Sequence, residues 1–265
     1  MPGLPLKGCN IVVTRPAGQA GKLVSMLETA GARAVRFPVI EIIPANTSPA
    51  LAEFARSLET YQLAIFISRN AVIHGINLLN QVRSDSNWPP GTKITAIGSG
   101  TTAELEALGL TVDITSRGIA NSENLLTAPE MLSVAGKRVL IFRGTGGREK
   151  LADVLRARGA TVDYFECYRR ELPGRDAGIL TSCWNSSGIQ GIIVTSCEGL
   201  ENLYQLVNAA DLPRLNNTPL YVISSTMVEL SRKLGYKQRP ILVRSASTQD
   251  VLESLLNHCT AHSGD

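Results

Sequence analysis

Tyr168 is followed directly by Arg169 and Arg170. A phenol near cations can have its proton loosened and can donate it to a departing oxygen, which makes this residue a general-acid candidate. The competing reading is an amphipathic tyrosine that covers a connector. The usual constellations for nucleophilic or metal-assisted attack are missing: the chain contains neither GxSxG nor HExxH, and no Ser-His-Asp arrangement stands out. Of the three histidines, only His258 and His262 have a spacing that could hold a metal on a helix. They lie in a terminal tail, and no metal site is expected. An enzyme with this inventory uses unusual proton donors or little side-chain chemistry.

A second group of candidates consists of short polar turns. They are Thr14-Arg15-Pro16, Ser68-Arg69-Asn70, Gly98-Ser99-Gly100-Thr101, Arg143 to Gly147, Thr195-Ser196 and Ser224-Ser225-Thr226. Each follows an apolar run. Where strands lead into helices, free backbone N–H groups and the helix dipole face outward, and anions suit such donors. Any one turn could equally be a helix cap. Arg143 and Arg148 flank the glycine-rich RGTGGR segment, and arginine forks bind carboxylates or phosphates bidentately. The alternative there is a flexible turn with solvated arginines; the phosphate-loop spacing GxxxxGK[ST] is absent. Gly98 to Ala103 matches the GxGxxA form of a dinucleotide fingerprint. It follows a middle strand, however, and the acid expected to close the next strand is missing, because Asp113 lies inside the VDITS run.

These turns are positioned by short β-branched runs that alternate with amphipathic helical stretches. Strands are predicted at 10–14, 63–68, 94–97, 139–143, 191–196, 220–224 and 241–244. Continuous apolar runs of this length fit a sheet covered on both faces, and the alternation predicts an α/β fold with mostly parallel sheets. Leu23, Leu27 and Ala30 line one face of a helix that Gly31 stops. Two extended segments, Arg36 to Pro44 and Tyr164 to Leu172, break the rhythm and are read as crossings between domains. Pro38 and Pro44 exclude a helix in the first.

The composition is that of an ordinary globular chain: 265 residues, 44% hydrophobic, 18% charged and a formal net charge of +3. Neither the charge nor the 5% aromatic content suits a nucleic-acid binder. Five scattered cysteines with no CxxC argue against a disulfide framework or a structural zinc. No apolar stretch approaches the roughly 20 residues that span a bilayer, so no membrane contact is expected and the location is read as cytoplasmic.

The most informative feature is an internal repeat. A shift of 128 positions carries Gly8 to Phe37 onto Gly136 to Phe165, placing Arg15 on Arg143, Leu27 on Leu155 and Gly31 on Gly159. The same shift carries Ser68 onto Ser196. A shift of 126 carries Ile97 onto Ile223 and Gly109 onto Gly235. Two copies of one βα module set follow, and with them a ligand site between two similar domains.

Taken in order, these residues resemble the uroporphyrinogen-III synthase family. The matching motifs are Thr14-Arg15-Pro16, Ser68-x-Asn70-Ala71-Val72, Ala96-Ile97-Gly98-x-x-Thr101, Arg143-Gly144 with Arg148-Glu149-x-Leu151, Tyr168-x-Arg170, and Thr195-Ser196 with Asn202-Leu203. The resemblance runs from about Lys7 to Leu256. It implies two flavodoxin-like parallel-sheet domains joined by a two-stranded linker: residues 1–37 with 172–265, linker strands 38–44 and 164–171, and residues 45–163. It implies a cofactor-free, cytoplasmic, monomeric lyase that closes hydroxymethylbilane to uroporphyrinogen III. Loss of the terminal hydroxyl gives an azafulvene, and a spiro intermediate then recloses with ring D inverted. The domains would open and close around the substrate. Tyr168 matches the family tyrosine proposed to assist hydroxyl loss. Arg15, Ser68, Asn70, Gly98, Thr101, Ser122, Arg143, Gly144, Arg148, Thr195, Ser196 and Thr226 would bind the substrate carboxylates. The chain departs from the family in the last turn, where Thr226-Met227-Val228 stands for a common Thr-Thr-Ala. Two rivals remain, a two-domain nucleotide-dependent transferase or dehydrogenase and a non-enzymatic bilobed anion-binding protein.

Overall fold

The computed structural model describes residues 4–83, 87–116, 121–147, 149–174 and 177–261. The chain opens with β1 (Asn10–Val13), α1 (Ala17–Thr29) and β2 (Arg33–Arg36). All four residues of β1 are buried, as a strand covered on both faces requires. Then follow β3 (Glu41–Pro44), α2 (Pro49–Arg56), β4 (Leu63–Phe66), α3 (Arg69–Val82), β5 (Lys93–Ala96), α4 (Ser99–Ala107) and β6 (Ile114–Thr115). Two short helices, α5 (Ser122–Leu125) and α6 (Pro129–Leu132), lead to β7 (Arg138–Gly144), α7 (Lys150–Ala157) and β8 (Thr161–Glu171). The last part holds α8 (Gly178–Ser186), β9 (Gly191–Ile193), α9 (Cys197–Leu206), α10 (Leu212–Leu215), β10 (Leu220–Val222), α11 (Ser225–Lys233), β11 (Ile241–Leu242) and α12 (Thr248–Ala261).

The predicted strands are all present, several shorter at their C-terminal ends because the chain turns at once into a capped helix. Ser68, Ser196 and Ser224 do this in the same way. Each is extended, and each accepts a backbone N–H three residues on, from Ala71, Gly199 and Met227.

The chain forms two compact units, Met1–Glu41 with Glu171–Asp265, and Ile42–Arg170. The first holds a five-stranded sheet in the order β11-β10-β9-β1-β2, with every recorded pairing parallel. The second holds a six-stranded sheet in the order β3-β8-β7-β4-β5-β6, parallel from β8 to β6. Apart from β3 the two orders correspond, and both are the doubly wound flavodoxin-like arrangement. The segment 164–171 differs from its reading as a separate connector. Tyr164 is already the fourth residue of β8, which pairs with β7 from Thr161 to Tyr168. The chain returns to the first unit only after Arg170.

The repeat reappears as equivalent backbone geometry. Gly31 and Gly159 both have positive φ, 96° and 87°, and end α1 and α7. After each the next N–H turns back to the helix, Ala32 to the Leu27 carbonyl and Ala160 to the Leu155 carbonyl. Each unit therefore combines the first βα pair of one copy with the last three strands of the other.

In the second unit β4 and β7 carry a core on either face. Ala64, Phe66, Leu140 and Phe142 point to one side, where the Phe66 and Phe142 rings stack 4.3 Å apart; Leu63, Ile65, Val139 and Ile141 fill the other. Rigid, doubly covered strands fix the turns at their C-terminal ends.

Candidate active site

Tyr168 lies at the end of β8, and a β-bulge decides where it points. Arg143 pairs with Glu166 but Gly144 pairs with Tyr168, so Cys167 is an extra residue in the ladder. Strict alternation would put Phe165 and Tyr168 on opposite faces; the bulge returns Tyr168 to the face of Phe165, and both join one core cluster. The Cys167 thiol caps the irregularity by donating to the Arg143 carbonyl at 3.3 Å, and burial pushes that thiol up to about 12.

The phenol ring has no exposed surface. It lies flat against Gly144, where a Cβ would fall 2.8 Å from the ring carbons Cε2 and Cζ. The Thr145 N–H donates to the Tyr168 carbonyl at 2.7 Å and fixes the backbone alongside. The hydroxyl sits 3.2 Å from Ser68 Oγ, and Arg170 Nη2 donates to it at 3.4 Å. The His74 ring, one turn into α3, stands 5.7 Å from the Tyr168 ring. Burial lowers the His74 pKa, favouring the neutral imidazole. Tyr168 is thus an enclosed, hydrogen-bonded group rather than a cover over a connector.

Arg143 departs from its expected role as an open fork. Its side chain is 3% exposed and turned into its own loop. Nε donates to the Gly144 carbonyl, Nη1 pairs with Glu149 at 2.9 Å, and Nη2 donates to the Gly146 carbonyl. The guanidinium also lies 4.5 Å over the Tyr164 ring, whose hydroxyl donates to the other Glu149 oxygen. A cation this close to a carboxylate and two carbonyl acceptors is satisfied locally and shapes the glycine-rich turn. The hydrogen bond from Tyr164, reinforced by Arg143, holds the Glu149 carboxyl below its usual range. Glu149 and Tyr164 were not among the sequence candidates. The Arg148-Glu149 motif placed Glu149 nearby, but nothing local tied it to Tyr164.

Around this turn lies a cavity of about 380 Å³, lined in part by Ser122, Glu123, Gly144, Gly147, Tyr164 and Arg170. Ser122 opens α5 on its rim. Gly98, with φ 86°, starts α4. The Thr101 hydroxyl donates to the Ile97 carbonyl at 2.7 Å, so its proton is engaged within the helix and its oxygen remains an acceptor. Asn70 is half-buried in the first turn of α3. Arg148 lies outside the described residues.

In the first unit the equivalent turns lie at the ends of β1, β9 and β10. Arg15 donates to the Ala246 carbonyl at 2.6 Å, and burial lowers its pKa. Thr195 and Ser196 are half-buried, with Ser196 capping α9, while Thr226 is exposed on α11. The position equivalent to Tyr168 is Ile40, and that equivalent to His74 is Asn202, whose amide donates to the Val39 carbonyl. The phenol belongs to one copy only.

The dinucleotide reading receives no support from Asp113, whose carboxylate accepts the Ile94 N–H at 2.7 Å inside the sheet. Among the described residues no cluster of His, Cys, Asp and Glu could hold a metal ion; His262 lies outside them.

The family model described as Uroporphyrinogen-III synthase HemD matches residues 21–257. The chain belongs to the uroporphyrinogen-III synthase family. It is 35% identical to the Escherichia coli K12 uroporphyrinogen-III synthase over 86% of this chain and 92% of that one. It is 36% identical to the Salmonella typhimurium LT2 synthase over the same shares. Among solved structures, a mutant uroporphyrinogen III synthase from Thermus thermophilus superposes with a TM-score of 0.64 at 16% identity, covering 96% of this chain and 99% of that one. The Helicobacter pylori 26695 synthetase gives 0.58 at 16%, with the same coverage. At such identities these likenesses speak for the two-domain α/β fold.

Proposed function

We propose that this chain cyclises hydroxymethylbilane to uroporphyrinogen III, inverting ring D and releasing water, as a lyase of tetrapyrrole biosynthesis. The observation that carries this reading is the nearly full-length likeness to named synthases within the family. The substrate bears eight carboxylates and closes unaided to the uninverted isomer. The protein's task is therefore to hold a flexible chain in the conformation that leads through the spiro intermediate.

The turns at the strand ends suit that task, because helix N-termini offer N–H groups and partial positive charge to carboxylates. In the second unit these are the starts of α3, α4, α5 and the turn after β7, with Ser68, Asn70, Gly98, Thr101, Ser122 and Gly144. Arg148 belongs to the same proposed set, and Arg143 serves by shaping that turn. In the first unit they are Arg15, Thr195, Ser196 and Thr226. Tyr168 supplies the proton for the departing hydroxyl, with Arg170 beside the oxygen to stabilise the phenolate left behind. The reaction needs no redox step, and we assign no cofactor to it. We place the chain in the cytoplasm as a monomer; no helix among the described residues is long and apolar enough to cross a membrane.

The test supplies hydroxymethylbilane generated in situ and separates the oxidised uroporphyrin isomers by chromatography. Predominantly isomer III without added metal or cofactor is expected. Only isomer I from folded protein would overturn the assignment.

A further inference from the structure

We propose that Tyr168 passes its proton to the departing hydroxyl through Ser68, so that the serine Oγ, and not the phenol, meets the substrate. The inference rests on the reading of the chain as a cyclising synthase and concerns how its acid is delivered.

Burial is the starting point. Tyr168 has no exposed surface, whereas Ser68 is only half-buried at the N-terminus of α3. An enclosed phenol reaches a bound molecule only through a neighbour, and Ser68 Oγ is 3.2 Å from its oxygen. One end of the chain is fixed by what its members can donate. Arg170 is a donor only, and its Nη2 approaches the phenol oxygen at 3.4 Å. Either hydroxyl of the pair can donate to the other, and with one lone pair of the phenol oxygen taken by Arg170 the relay has the phenol donate to Ser68. Ser68 Oγ also accepts the Ala71 N–H at 3.2 Å. In that arrangement both of its lone pairs are engaged, and its own hydrogen is left to point away from Tyr168 and from the helix. The order is Arg170 to Tyr168 to Ser68 to substrate.

The step balances without an added reactant. The bond between the terminal methylene carbon and its oxygen breaks as the pyrrole nitrogen lone pair pushes in. The oxygen leaves as water with the proton of Ser68, and Ser68 takes the proton of Tyr168. The phenolate stays beside Arg170 until ring closure and rearomatisation release a proton to restore it. The other copy of the repeat supplies an internal contrast: Ser196 caps α9 as Ser68 caps α3, but the position equivalent to Tyr168 is Ile40. Capping alone needs no phenol.

The experiment compares Ser68→Asn, Ser68→Thr, Tyr168→Phe and the double variant Ser68→Asn/Tyr168→Phe with the unaltered protein. All are assayed for isomer III formation with in situ substrate and for thermal unfolding. Asn caps helices as well as Ser but cannot relay a proton, while Thr does both. The relay predicts that Ser68→Asn and Tyr168→Phe each lower kcat by about 10²-fold with KM little changed, a size typical of a lost general acid. The double variant should lose no more than either single one, because both lie on one path. Ser68→Thr should recover most of the rate. Full activity in folded Ser68→Asn, or in Tyr168→Phe, would overturn the relay, as would losses that multiply in the double variant. In those cases the unaltered protein still makes isomer III; if it makes only isomer I, the functional reading itself has failed.

Discussion

At the scale of single residues the site depends on one missing side chain. Gly144 leaves room for the Tyr168 ring, and a methyl group there would sit 2.8 Å from two ring carbons. The ring belongs to the same buried cluster as Phe142 and Phe165, and displacing it disturbs a close-packed core. Gly144→Ala is therefore expected to cost about 1–3 kcal/mol of stability, the usual range for overpacking. It should also displace the phenol from Ser68, so that the rate of isomer III formation falls further than the change in folding accounts for. Denaturant unfolding alongside the isomer assay measures both. Unchanged stability with unchanged activity would show that the ring moves freely, contrary to the packing seen.

At the scale of elements the turns are fixed by their caps, and the start of α12 carries one that responds to acid. The Asp250 carboxylate accepts from Arg244 and from the Ser245 hydroxyl, while its own N–H donates to Ser247 Oγ. Arg244 first, then Ser245, hold the Asp250 carboxyl down to about 2 from an ordinary 3.8. Its value in the folded state is depressed, so this contribution is complete above about pH 4 and is lost as pH falls toward about 2. In Asp250→Asn the melting temperature should drop at neutral pH, and the slope of stability between those limits should flatten. Thermal unfolding followed from pH 7 to 2 measures it. A variant with the same acid slope as the unaltered chain would remove Asp250 from the account.

At the scale of the whole molecule the two units are closed differently by one chain. Ile42–Arg170 is continuous and contains β4 to β8 with both faces of the sheet covered. The other unit needs two distant segments, since β9 pairs with β1 on one side and β10 on the other. Residues 42–170 expressed alone are expected to unfold cooperatively in denaturant. Residues 171–265 alone should not, because β9 then lacks the strand that completes its ladder and its core. Cooperative unfolding of residues 171–265 alone would mean that three strands and their helices suffice.

By itself the sequence determined the parts that depend on neighbours along the chain. Apolar runs such as Leu63 to Phe66, serines before helices and glycines that stop them are local signals, and the 128-residue register multiplied them into a two-copy fold. The same signals located the polar turns at the strand ends. The residue patterns alone left open which copy completes which sheet, since β4 and β9 are equivalent under the repeat and either could in principle lie beside β7. The exchanged arrangement came only with the family resemblance, and in the structure β4 lies beside β7 and β9 beside β1. Tertiary structure alone turned Arg143 inward, because Glu149 and Tyr164 reach it from other elements. It also set the aim of Tyr168. A single extra residue at Cys167 reverses the facing of everything after it, and no period-two pattern announces such a bulge. The partner it finds, Ser68, is 100 positions away, and a hydrogen bond over that separation is settled by how the strands pack.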